Sequence, residues 1–370
     1  MSIIKISDSG LYGYKSKVLS LGLVMPSLEF PGGNVTQDDI KTFAELLATY
    51  GSNTPKAGGT LTLNSVALGS YDYRVYKGNH QIETFSDSDW FTSTEDARSA
   101  WIVFNGNLII DAGQTFIPTK RKLFTVLYVS GNLTISGGIS MTAKGSNHRG
   151  DGESGGAVTA AAIRIATGTF SEVENPQIPA AGGAGGSFGS AQAKAGVAGT
   201  AGTAGATGGG GTGASGSGTI TGGNGAAGTS FSGGPAGGGA IGVNGGEAGE
   251  TNGGKGGRGN ATTSSSGGGA GNPGGIGGAT GGDSGQSGTG GILVIICAGV
   301  LSGDGVIAAN GKNGGNAIIG GGGSGGGSVT VMYGTDDSSI TPTAAGGAGG
   351  TGTVTGGNGG AGTARKLALA

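Results

Sequence analysis

Glycine returns at every third position over long stretches of this chain. It does so at Gly196, Gly199, Gly202, Gly205 and Gly208, at Gly253, Gly256 and Gly259, at Gly282, Gly285, Gly288 and Gly291, and at Gly356, Gly359 and Gly362. A period of three suits neither an α-helix nor a strand. It suits the polyproline II geometry, with three residues per turn and a rise of about 3.1 Å. Such a rod has no hydrogen bonds of its own, so its N–H and C=O groups must bond sideways to neighbouring rods, and the missing Cβ lets those backbones approach. Collagen shares the period, but residues 181–364 hold only Pro235, Pro273 and Pro342, and the register slips repeatedly. Proline poverty therefore excludes a collagen triple helix.

The competing reading is a disordered Gly/Ser linker, favoured by the large backbone entropy of glycine. Three features oppose it. Only ten Asp, Glu, Lys or Arg residues lie between 181 and 364, whereas disordered segments usually rely on charge. The apolar runs Ile292-Leu293-Val294-Ile295-Ile296 and Ser328-Val329-Thr330-Val331-Met332-Tyr333 interrupt the tracts and would aggregate if exposed. The slips divide the region into short rods, as folding back and forth requires. The expectation is a bundle of polyglycine II helices threaded by β segments.

The front of the chain is different. Of the 93 glycines, 15 fall in residues 1–144, so the composition shifts near Lys144-Gly145. Trp90, Trp101, Phe104, Phe116, Phe124 and Tyr128 supply the bulk of a conventional core there, while only Phe170, Phe188, Phe231 and Tyr333 are aromatic after residue 130. Residues 1–35 suggest short strands and turns. Thr36 is a good helix N-cap with Asp38 and Asp39 in the first turn; Ile40, Phe43, Ala44, Leu46 and Leu47 follow at helical spacing, and Gly51 is the stop. Alternation at Leu61, Leu63 and Val66, then at Tyr71, Tyr73 and Val75, predicts strands. The expected organisation is an attachment region over 1–60 with one short helix, a β-rich domain over 61–144, and a glycine-rich domain over 145–370.

Three segments echo one another: Gly106-Asn107-Leu108-Ile109-Ile110, Gly131-Asn132-Leu133-Thr134-Ile135 and, more weakly, Gly299-Val300-Leu301-Ser302-Gly303. Each predicts a glycine turn followed by a strand, the signature of solenoid-like β structure. Because glycine tracts follow the second and third copies, the tracts are expected to be suspended between β elements.

The net charge of −2 offers no basic stripe for nucleic acid. Cys297, the single cysteine, sits in an apolar run and reads as a buried small residue. No export signal or membrane anchor is expected. Gly282-Asp283-Ser284-Gly285 imitates a serine-protease nucleophile segment, but neither His80 nor His148 lies in a matching motif. Gly254-Lys255-Gly256 imitates a P-loop without its Ser/Thr. Arg149-Gly150-Asp151 reads as a chance tripeptide, and Asn147, His148, Asp151 and Glu153 lack a recognised metal-loop spacing. No enzyme, cofactor or metal is implied.

The tracts, for example Gly253-Gly254-Lys255-Gly256-Gly257-Arg258-Gly259, resemble those of the glycine-rich tip adhesins of T-even-type phage tail fibres. The arrangement from Leu123-Phe124-Thr125-Val126 to Gly360-Ala361-Gly362-Thr363-Ala364-Arg365-Lys366-Leu367 is similar to a wider group of phage and prophage tail-fibre receptor-binding proteins. The resemblance covers residues 100–370. It implies a virion adhesin without enzymatic activity. Loops of a rigid polyglycine II bundle would recognise a bacterial surface receptor (an outer-membrane protein or polysaccharide), and the front would join other phage tail or fibre proteins, as a homotrimer or as a single cap on a trimeric fibre. The recognition residues expected from the bulky or polar positions between tracts are Phe170, Phe188, Phe231, Glu247, Glu250, Lys255, Arg258, Asn260, Tyr333, Asp336 and Asp337, with Asn313 and Asn316 nearby. Phe188 and Phe231 fit equally an exposed anchor or a plug of the bundle interior. A structural coat protein and an ice-binding protein are the alternative classes.

Overall fold

The computed structural model describes residues 4–5, 28–30, 37–54, 56–63, 66–82, 99–118, 124–144, 290–314, 316, 323–351 and 357–369. The described chain is mostly β-strand with a single α-helix. That helix, α1 (Gln37–Tyr50), begins after Thr36 and ends at Gly51, as the capping pattern predicts. It buries Phe43, Ala44 and Leu47, and the Phe43 ring meets Trp101 edge-on with centroids 4.7 Å apart. On its outer side Lys41 pairs with Glu45 one turn later, at 2.6 Å. Glycine is needed at 51 for space: a Cβ there would overlap the Leu47 carbonyl and the Val75 side chain.

The strands are β1 (Ile4–Lys5), β2 (Leu28–Phe30), β3 (Lys56–Leu63), β4 (Val66–Lys77), β5 (His80–Ile82), β6 (Ser99–Asn105), β7 (Leu108–Ile110), β8 (Thr115–Phe116), β9 (Phe124–Val129), β10 (Leu133–Ile135), β11 (Gly138–Ser140), β12 (Ile292–Gly303), β13 (Val306–Ala308), β14 (Ser328–Ser338) and β15 (Thr363–Ala368). Apart from the antiparallel β3–β4 pair, every pairing is parallel.

Register turns this order into a solenoid. A first face stacks β4, β6, β9, the start of β12, the start of β14 and β15. A second face stacks β5, β7, β10, the end of β12 and the end of β14. A third stacks β8, β11 and β13, with Thr343 bridged to Ala308. The coils β6–β7–β8 and β9–β10–β11 run through one long and two short strands, β12 spans the first two faces of the next coil with β13 on the third, and each coil lies on the one before. The interior is filled by columns of like residues: Ile102, Leu127, Ile295 and Val331; Phe104, Val129 and Cys297; Leu108, Leu133 and Leu301; Phe116, Ile139 and Ile307. All are buried, and each such side chain contributes about 1.5–3 kcal/mol of apolar burial.

The three echoing segments occupy equivalent corners of successive coils. Gly131 donates its N–H to the Gly106 carbonyl at 3.0 Å, and Gly299 donates to Gly131 at 3.1 Å. Beside them runs an asparagine ladder: the N–H groups of Asn107, Asn132 and Val300 donate to the Oδ1 atoms of Asn79, Asn107 and Asn132, at 3.0, 2.8 and 3.0 Å. The compositional step at Lys144-Gly145 falls inside this stack, because β9 before it and β12 after it are adjacent strands. Residues 145–289 are spliced between β11 and β12 and lie outside the described residues.

Two shorter glycine-rich excursions are described in part. The first leaves β13 along 309–316 and returns to β14 along 323–327; the second leaves beyond Thr343 along 344–351 and returns to β15 along 357–362. We call them arms, each with an outgoing and a returning limb. Neither limb is a strand or helix, yet their backbones are bonded together. Within the first arm, Ser324 and Gly327 donate to the carbonyls of Lys312 and Ala309; within the second, Gly359 and Gly362 donate to those of Gly347 and Ala344. Limbs of one arm therefore run in opposite directions, with one bond every three residues. Between arms, Gly311 and Gly314 donate to Ala345 and Ala348, and Gly323 and Gly326 donate to Gly357 and Gly360. The two outgoing limbs are parallel, and so are the two returning ones.

Candidate functional site

The arms are where this chain departs most from an ordinary β protein, and their surface follows the same period. Ala344, Gly347 and Gly350 are buried, while Ala345, Ala348 and Thr351 are exposed. A Cβ on Gly347 would overlap the Lys312 carbonyl oxygen, and one on Gly359 would overlap that of Ser324. Glycine is thus required at these closest approaches, and the other inward positions of the limbs hold small residues, Ala309, Ser324 and Ala344.

Asparagine binds the arms across that outward third. The Oδ1 atoms of Asn310, Asn313 and Asn316 accept the N–H groups of Ala345, Ala348 and Thr351 at 2.7, 2.9 and 2.8 Å. Asn358 does the same within the second arm, accepting from Gly349 at 2.7 Å. A side-chain oxygen, and not a backbone carbonyl, thus meets each of these donors at the surface of the arms. The second arm repeats the first at a spacing of 35 residues, as the Asn310–Ala345 and Asn313–Ala348 bonds show directly. A sequence signal for this existed: Gly311, Gly314, Gly315, Gly325 and Gly327 recur as Gly346, Gly349, Gly350, Gly360 and Gly362. The period of three conceals it, because glycine-rich text matches itself at many offsets.

Of the recognition residues expected from sequence, Phe170, Phe188, Phe231, Glu247, Glu250, Lys255, Arg258 and Asn260 lie outside the described residues. Tyr333, Asp336 and Asp337 do not lie in a loop between tracts; they belong to β14, in register with Cys297, Leu301 and Ser302 of β12. The expectation of a loop failed because Gly334-Thr335-Asp336-Asp337 looks like a turn in sequence, whereas parallel pairing to β12 on one side holds it extended. Asp336 forms an ion pair with Lys366 and accepts the Ser338 hydroxyl at 2.7 Å. Burial alone would raise its pKa, but the bonds from Lys366 and Ser338 outweigh that and hold it below the ordinary aspartate range. Asn313 and Asn316 spend their Oδ1 atoms on the second arm.

Chemically reactive groups are few here. Cys297 is fully buried in an interior column, and burial pushes its thiol up to about 11, so it is protonated at neutral pH. Tyr128 is pushed up to about 12 by burial and then by Glu45 of α1, which accepts its hydroxyl hydrogen. Both are packing groups: the first fills the solenoid, the second ties the helix to β9. Among the described residues no three His, Cys, Asp or Glu side chains converge to hold a metal ion, and no helix is long and apolar enough to cross a membrane. Comparison with family models, with curated proteins and with solved structures finds no match to the chain.

Proposed function

We propose that this protein is a non-enzymatic phage tail-fibre adhesin that recognises a bacterial surface receptor through the ends of a polyglycine II bundle. The observation that carries the reading is the arm lattice. Period-three bonding between limbs, period-three burial along the second arm and glycine at the closest backbone approaches are the properties required of polyglycine II rods. The same glycine spacing recurs in the sequence at Gly196–Gly208, Gly253–Gly259 and Gly282–Gly291. A solenoid that fixes both ends of each arm gives a rigid mount, so sequence changes at the arm ends alter what is displayed without altering the frame. Rigid display lowers the ordering cost of binding, which suits an adhesin. The partners are an outer-membrane protein or polysaccharide at one end and other tail or fibre proteins at the other, with the protein carried on the virion.

The test uses the full chain, because β12 and β9 are neighbours and a fragment from residue 145 would lack half of its sheet. Fluorescently labelled protein is incubated with a panel of bacterial strains, with Phe231→Ala alongside. Strain-selective binding, displaced by unlabelled protein, supports the adhesin. Absence of binding to every strain by folded protein sinks it, and a Phe231→Ala variant that binds normally removes that ring from the site.

A further inference from the structure

One interior column carries a charged residue at each end of its run from β4 to β15. Following the register from coil to coil, one column reads Arg74, Ile102, Leu127, Ile295, Val331, Lys366. Its neighbour reads Tyr76, Phe104, Val129, Cys297, Tyr333, Ala368. From Ile102 to Val331 and from Phe104 to Cys297 the members are apolar and buried, whereas each end sets a cation beside a tyrosine, Tyr76 of the same strand at one end and Tyr333 of the preceding coil at the other. The Arg74 guanidinium lies 4.4 Å from the Tyr76 ring centroid, and the Lys366 ammonium lies 5.9 Å from that of Tyr333. At the second face the substitution continues, since Asp336 takes the position that Leu301, Leu133 and Leu108 hold below it.

Lys366 is held inside this end. Its Nζ pairs with the Asp336 carboxylate and donates to the Ser338 hydroxyl at 3.0 Å and to the Ile340 carbonyl at 3.2 Å. Among the described residues β15 pairs only with β14. Thr363 and Leu369 donate to Gly327 and Tyr333 of the preceding coil, so in a parallel ladder the N–H and C=O groups of Ala364, Lys366 and Ala368 face the other edge. That edge would accept another strand, and an aliphatic residue at 366 would continue the apolar column beneath it.

We infer that Lys366 and Asp336 form an end stop, which closes the solenoid interior against a further coil supplied by a second copy of this chain. Stacking a second copy would bury both charges under a new coil, where the loss of hydration exceeds what one ion pair returns. Inward-pointing charge at a sheet edge is a recognised means of blocking edge-to-edge association.

The experiment compares wild type with Lys366→Leu/Asp336→Leu by sedimentation across a concentration series, with circular dichroism to establish folding. The expected result is a concentration-dependent rise in average mass for the double-leucine variant, reaching about twofold or more, with no matching rise in wild type. The charge swap Lys366→Asp/Asp336→Lys, which keeps the pair, should sediment as wild type does. A folded double-leucine variant whose mass matches wild type throughout overturns the end stop. If that variant does not fold, Lys366→Ala/Asp336→Ala is read by the same criterion; failure of both to fold assigns the pair to core stability and also overturns it.

Discussion

The solenoid and the arms both pair the backbone of one coil with that of the next, and they do so by opposite use of side chains. In the solenoid, strands are held at a spacing that leaves room for Leu127 to stack between Ile102 and Ile295. In the arms the limbs approach until a Cβ at Gly347 or Gly362 would occupy a carbonyl position. The first region is stabilised by apolar burial, which tolerates a lost methyl group at a graded cost. The second depends on backbone hydrogen bonds and close dispersion contacts, which tolerate an added methyl group badly. Small chains of atoms can thus be packed around side chains or in their absence, and the tolerance to mutation inverts between the two.

The sharpest way to break this contrast is to remove side-chain volume from the solenoid and to add it to an arm. Leu133→Ala, in the centre of the solenoid, should destabilise by about 2–5 kcal/mol in chemical denaturation, because a buried column cannot collapse around the cavity. Gly347→Val should cost about 1–3 kcal/mol by overpacking, and amide exchange should speed at Gly359, whose N–H is bonded to Gly347, before it speeds at β9. Ala348→Val, one position on and exposed, should stay within about 0.5 kcal/mol of wild type. Equal costs at 347 and 348 would abolish the distinction between inner and outer positions of the limb.

The two asparagine ladders give a finer comparison. Asn132→Ala removes an acceptor from the solenoid corner and Asn313→Ala removes one from the arms; each should cost about 1 kcal/mol. If the solenoid variant alone is affected, the arm ladder is incidental to stability. The smallest effect concerns pH. Asp336 has its pKa depressed in the folded state, so its contribution is present above the ordinary aspartate pKa and disappears as pH falls through the depressed value. The gap in thermal midpoint between wild type and Asp336→Asn should therefore be visible near neutral pH and close in strong acid. A gap that widens in acid would reverse the assignment.

Local features were readable in the sequence and long-range ones were not. Helix α1 could be placed because Asp38, Asp39, the Phe43–Leu47 spacing and Gly51 are all local signals within one short segment. The Gly-Asn-Leu corners were recognisable because the same turn recurs on each coil. That Leu133 rests on Leu301 was hidden, because residues 145–289 separate two coils that touch. β14 was half readable: Val329 and Val331 look like a strand, but the end-stop residues break the apolar pattern from Tyr333 onward. At the candidate site, the period of three announced how the limbs bond. The pairing of limbs was hidden, because Asn310, Asn313 and Asn316 find their partners 35 residues on, at Ala345, Ala348 and Thr351 of the neighbouring arm.

The spacing of the asparagine acceptors has a consequence for how such a protein can diversify. Asn310, Asn313 and Asn316 mark equal steps along a limb and bond to the neighbouring arm, so inserting or deleting three residues in the matching limbs of both arms keeps the ladder in step. A gain or loss of one residue instead brings a side chain to the backbone contact and moves asparagine off its partner. The arms can therefore lengthen or shorten in triplet quanta, carrying their ends to a new height while the coils beneath remain unchanged.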